Sequence, residues 1–137
     1  WGDWHRDSVF GEERASRISP LRSTIERGVP FTTHNDTPVV PSDMLQLMWS
    51  AVNRVTRSGK TLGADQRIAP LDALKSITIN AAYQMFEENQ KGSIETGKVA
   101  DLVVLSDNPL NINPINIKDI KVLETVKNGE TVYMAVN

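Results

Sequence analysis

Near Gly92 the periodicity of the chain changes, and that change limits the folds open to it. Upstream, Leu45, Met48, Trp49, Val52 and Val55 recur at i, i+3, i+4, i+7 and i+10, which is one face of an amphipathic helix. Ser42 or Asp43 can cap this helix, and Ser58-Gly59 is expected to end it. A further helix is expected over "PLDALKSITINAAYQMF", opened by Pro70, with Leu71, Leu74, Ile77 and Ala81 on its stripe. Downstream the period falls to 2 or less. "LVVL", residues 102–105, reads as a short apolar strand stopped by the turn at Asp107, Asn108 and Pro109. "KVLETVKNGETVYMAV" reads as a hairpin around Asn128-Gly129, with Lys127 and Glu130 facing each other. "NINPINIKDI" between them is a loop whose isoleucines can dock on a core.

The front of the chain is harder to read. Residues 1–19 look polar and irregular, with Trp1, Trp4 and Phe10 expected to pack on a neighbour or else to line a pocket. Ser19 then caps a helix that has Pro20 at its first position and Gly28 just past its end. "VPFTT", residues 29–33, follows as a strand. A helical front of α/β character with one strand, followed by a back part that is all β, is the expected organisation.

Composition narrows the function classes. The 137 residues are 39% hydrophobic and 23% charged, as in a single folded domain, and the net charge of −2 leaves no basic patch for nucleic acid. No apolar run is long enough for a membrane helix, so neither nucleic acid nor membrane is an expected partner. Cysteine is absent, which removes disulfides, thiolate nucleophiles and cysteine metal sites and fits a reducing, cytoplasmic setting. The chain opens on Trp1 rather than Met, from which residues are expected upstream.

Few residues can carry chemistry. His5 and His34 are the two histidines, and with Asp3 and Asp36 they make the available metal donors. No H-x-H or H-E-x-x-H spacing occurs, so a complete metal site within this chain is not expected. G-x-S-x-G is absent too. Gly59-Lys60-Thr61 is similar to the end of a phosphate loop, but the first glycine is missing and a helix rather than a strand precedes it. "FTTHNDTPVVP" stands out because a carboxylate directly after a strand sits where α/β folds build active sites. The other reading is that Asp36 caps a turn through backbone N–H groups near Thr37. On the residues alone both stand open.

Four segments resemble one family. "GSIETGKVADLVVLSDNP", residues 92–109, is similar to the signature near the C-terminus of the amidohydrolase superfamily. "TINAAYQMF" resembles the T-x-N-A-A helix before it, "THNDTPVVP" the H-x-D-x-P segment closing the eighth barrel strand, and "LETVKNGETVY" the closing hairpin. The likeness is strongest to amidohydrolase family 3, which includes N-substituted formamide deformylases and proteins called exoenzyme regulatory proteins. Asn35 departs mildly from the serine often found there.

The resemblance implies an α/β fold. Residues 1–91 would be the C-terminal part of a metal-dependent hydrolase TIM barrel, and residues 92–137 the C-terminal strands of a small composite β-sandwich. It implies hydrolysis of C–N, amide-like bonds in a small substrate by a metal-activated water. Asp36 would be the catalytic residue and a metal contact in the intact enzyme, with His34 and Asn35 orienting it or touching substrate. The metal would be divalent, with zinc expected, and none is expected in this chain alone. Gly92, Gly97, Lys98 and Asp101 are read as structural, the glycines permitting turns and Asp101 accepting hydrogen bonds. With the H-x-H motif absent, the chain is expected to be inactive alone and to associate with itself or with the missing N-terminal part. The rival readings are a catalytically dead α/β interaction or regulatory module, and one half of a split enzyme.

Overall fold

A computed structural model describes residues 1–136. Its centre is α4 (Met44–Asn53), and its geometry follows from its sequence. Asp43 is extended and its Oδ1 accepts the Gln46 N–H at 2.9 Å, which satisfies one of the donors that the first turn leaves free. Leu45, Met48, Trp49 and Val52 are buried on one face, as the spacing predicts. The helix stops at Arg54, in the left-handed region at φ 52°, and not at Ser58-Gly59. Val55 lies past the helix end, where it still packs against the core and pairs with Thr61 across a short turn that contains Gly59 and Lys60. The isoleucine loop docks against α4 as a 3₁₀ turn, Pro114–Asp119. Ile117 is fully buried there, worth roughly 1.5–3 kcal/mol. Trp49 Nε1 donates to the Ile115 carbonyl at 2.8 Å, and Asn53 Nδ2 to that of Pro114 at 2.9 Å.

The irregular N-terminus expected from the sequence is helical instead. It comprises α1 (Gly2–Trp4), a π-helical turn over His5–Phe10, and α2 (Gly11–Ala15). Ion pairs that a pattern of apolar residues cannot reveal hold it in place. Arg6 is buried against Asp3 at 3.1 Å and Asp7 at 2.7 Å, and Asp3 also accepts from the Ser58 N–H and hydroxyl. Trp1, Trp4 and Phe10 do not pack into the core, and Trp1 is 75% exposed. Arg54 ties this arm down from below. Its guanidinium donates to the carbonyls of Ile18 at 2.7 Å, Leu62 at 2.8 Å and Ser19 at 3.0 Å, and burial pushes its pKa down. Gly63 is needed at this junction, because at φ 64° a Cβ would lie 1.9 Å from the Ser16 carbonyl oxygen.

Helix α3 (Leu21–Glu26) ends before Gly28 as expected, but Pro20 occupies the cap position and Ser19 makes no side-chain cap. No strand forms over residues 29–33. Among the described residues no other strand lies beside the segment, so its backbone joins no ladder. The single helix expected from Pro70 divides into α5 (Pro70–Ser76) and α6 (Ile79–Gln84). The break falls in the β-branched run Ile77-Thr78-Ile79, where Thr78 Oγ1 bonds back to the Leu74 carbonyl. Leu74 and Ile77 pack on the core, while Leu71 is exposed.

The back of the chain is an antiparallel sheet in the order β1 (Leu102–Leu105), β2 (Val122–Lys127), β3 (Glu130–Met134). Lys127 faces Glu130, and Asn128 and Gly129 both have positive φ, the geometry of a type I′ turn. Asp101 Oδ1 accepts the Asn128 N–H at 2.8 Å, so the signature aspartate pins the hairpin tip. Lys98 Nζ donates to the Glu88 carbonyl at 2.6 Å and closes the loop before β1. At Gly92, φ 89°, a Cβ would meet that of Ala82 at 2.7 Å. These signature residues serve the backbone, as the sequence reading expected. The fold is thus mixed α/β with one three-stranded sheet. Among the described residues no helix is long and apolar enough to cross a membrane.

Candidate active site

His34, Asn35 and Asp36 follow residues 31–33, and helix side chains rather than a sheet hold that stretch. Thr32 Oγ1 donates to Gln84 Oε1 at 2.7 Å, Asn80 Nδ2 donates to the Phe31 carbonyl at 3.0 Å, and Thr33 Oγ1 lies 3.0 Å from Ser76 Oγ. The three residues then divide by burial. Asn35 is only 8% exposed, and its Nδ2 donates to the Pro41 carbonyl at 2.9 Å, closing a loop over residues 35–41. His34 and Asp36 are 79% and 72% exposed, with His34 Nε2 and Asp36 Oδ1 3.4 Å apart. Asp36 sits at φ 60°, a region that Asp and Asn tolerate better than most residues.

The turn after Asp36 is closed by backbone. Val39 N–H donates to the Asp36 carbonyl at 2.8 Å, and the carboxylate faces His34 rather than a backbone N–H. A carboxylate free of such bonds, beside an imidazole, can accept and return a proton.

A metal needs more donors than this pair supplies. Among the described residues no three His, Asp or Glu side chains are placed so that they could hold a metal ion together. His34 and Asp36 offer two donor atoms, whereas a catalytic site ordinarily takes about three from protein. Asp3 is committed to Ser58 and Arg6, and the His5 ring is flanked by Trp4 and Phe10 at centroid distances of 5.1 and 5.4 Å. The donors in this chain therefore do not fit a complete metal site. His34 and Asn35 do line a broad open trough of about 1570 Å³, whose other walls include Trp1, Trp4, Trp49 and Arg54. Of the N-terminal aromatics, Trp1 and Trp4 border this trough, while Trp4 and Phe10 flank the His5 ring.

The anchors Ser76, Asn80 and Gln84 were not singled out from the sequence. Their signal is present as polar residues spaced by four, with Asn80 being the asparagine of the T-x-N-A-A segment.

Comparison with known proteins agrees with the four segments. The family model described as "Amidohydrolase family" matches residues 2–133. An N-substituted formamide deformylase of Arthrobacter pascens is 32% identical over 133 residues, 97% of this chain and 24% of that protein. The crystal structure of an amidohydrolase from Thermotoga maritima MSB8 superposes with a TM-score of 0.65 at 25% identity, covering 84% of this chain and 26% of that one. A prolidase complexed with N-methylphosphonate-L-proline gives a TM-score of 0.57 at 27% identity over 90% of this chain and 27% of its own. The chain spans about a quarter of the length of these relatives. With a match over nearly its whole length, the chain belongs to the amidohydrolase family.

Proposed function

We propose that this chain is the part of a metal-dependent amidohydrolase that carries its proton-transfer carboxylate, and that the intact protein hydrolyses C–N bonds in small amide-like substrates. The observation that carries the reading is the exposed Asp36 carboxylate, free of backbone donors and 3.4 Å from His34 on a segment braced by three side-chain hydrogen bonds. Asp36 takes a proton from the water that attacks the amide carbonyl. It returns that proton to the leaving nitrogen as the C–N bond breaks. His34 orients the carboxylate between the two transfers, and Asn35 keeps the loop closed behind it.

The divalent metal that family membership suggests, zinc by the resemblance, would need donors from beyond His34 and Asp36. Residues 1–91 would then complete a barrel and residues 92–137 a composite sandwich. The remainder of the hydrolase, or a second copy of this chain, would cover the sheet. Surface area supports a missing cover. The chain exposes 9399 Å², against about 7,100 Å² for a compact monomer of 15.2 kDa.

The test is Asp36→Asn in the full-length hydrolase, with turnover measured beside the thermal midpoint. The substitution keeps shape and removes the proton acceptor, so turnover should fall by about 10² to 10⁴ while the midpoint holds. Near-normal turnover would refute the reading.

A further inference from the structure

Between Pro30 and Asn35 the backbone enters no ladder, and among the described residues its peptide groups receive one hydrogen bond, from Asn80 to the Phe31 carbonyl. The neighbouring anchors have a defined polarity. Ser76 is almost fully buried, carries one hydroxyl proton, and gives it to the Ala73 carbonyl at 2.7 Å. Thr33 must therefore be the donor in its 3.0 Å bond with Ser76. Thr32 likewise donates, to Gln84 Oε1. Asn80 and Gln84 lie four apart on one face of α6, and Ser76, at the end of α5, joins them because all three bond to residues 31–33. Together they grip the chain immediately before the histidine and the aspartate.

We propose that Ser76, Asn80 and Gln84 are positioning residues that fix the direction of His34 and Asp36. Asn80 is the central one, because it alone holds the main chain. Without its donor, the Phe31 carbonyl has no protein partner and the segment can rotate about residues 30–33. The functional meaning of this grip rests on the reading of Asp36 as proton carrier, but its existence can be tested without any activity.

The experiment is backbone ¹⁵N relaxation of the 137-residue chain and its Asn80→Asp variant, which keeps the side-chain shape and loses the N–H donor. In the unsubstituted chain the His34 and Asp36 amides should show order parameters near ~0.85, and in the variant they should drop below ~0.6, with α4 and β2 unchanged. Order parameters that stay high at both residues would overturn the proposal. Loosening spread equally over α4 and β2 would also overturn it, since Asn80 would then only support the fold. If Asn80→Asp does not fold, Gln84→Ala, at an exposed position, must show the same local drop, and its absence overturns the proposal. The Asp36→Asn turnover measurement reports separately. Lost turnover with a rigid segment in Asn80→Asp sinks this inference alone, and normal turnover with a loosened segment sinks the catalytic reading alone.

Discussion

Helix α4 and the three-stranded sheet differ in where their order comes from. Helix α4 buries Leu45, Met48, Trp49, Ala51 and Val52 and gathers the 3₁₀ turn, α5 and the tail of α3 around it, so long-range packing specifies it. In the sheet, β1 and β3 are exposed along nearly all their length; the β2–β3 register is set locally by Asn128-Gly129, and the Asp101 bond ties the residue before β1 to the hairpin tip. Local turn chemistry can place a strand without giving its faces anything to cover. A well-formed sheet and a well-buried sheet are therefore separate achievements, and this chain has the first. The most deeply buried bridge between the regions is the turn carrying Ile117 and Ile120, both in the core with α4, and Leu105 of β1 packs against the same core.

That contrast breaks most visibly at the bridge. Ile117→Ala should cost about 2–5 kcal/mol, read as a lowered urea midpoint, because a fully buried branched side chain leaves a cavity. A loss under about 1 kcal/mol would mean that the two regions are not coupled through this turn. Next in size is Arg54→Lys. An ammonium cannot reach the carbonyls of Ile18, Ser19 and Leu62 together, so roughly 1–3 kcal/mol should be lost, again by urea titration.

Acid sharpens the contrast further. Hydrogen bonds from the Ser58 hydroxyl and then the Ser58 N–H, with Arg6 beside them, hold the Asp3 carboxyl well below the usual range. A folded-state value that is depressed stabilises the fold above the ordinary value of about 3.9, and the contribution fades as pH falls below it. The N-terminal arm should therefore loosen below about pH 4. Trp1 and Trp4 fluorescence should change there before the far-ultraviolet signal does, and Asp3→Asn should abolish that early step. The smallest effect belongs to the sheet. Val132 on β3 is 60% exposed, and Val132→Thr should shift stability by no more than about 0.5 kcal/mol. A larger loss would show that the face is covered in solution.

The same division explains what could be read from the sequence. Features signalled by neighbouring residues were legible: the Asp43 cap, the Asn128-Gly129 turn, the turn roles of Gly92 and Gly97, and the apolar spacing of α4, which does not name the partners that the helix packs against. Features set by distant partners were not. Residues 29–33 have strand composition, but a strand needs a neighbour, and composition cannot supply one. The N-terminal helices depend on Arg6 meeting Asp3 and on Asp3 meeting Ser58, 55 residues away. Arg54 ends α4 early because its side chain is engaged with carbonyls across the fold. At the site, "HND" stood out by itself, whereas the grip that braces it became visible only once α5 and α6 lay against residues 31–33.

The central claim is that the Asp36 side chain has no structural duty and is free for chemistry. Asp36→Gly in the 137-residue chain tests it most directly. Glycine accepts φ 60° and retains the Asp36 carbonyl that closes the turn onto Val39, so only the carboxylate is removed. The account predicts an unfolding free energy within about 0.5 kcal/mol of the unsubstituted chain, since relief at a left-handed position offsets the added freedom of the unfolded state. A loss of about 1 kcal/mol or more, the size of a missing cap, would contradict it and return "FTTHNDTPVVP" to being a turn.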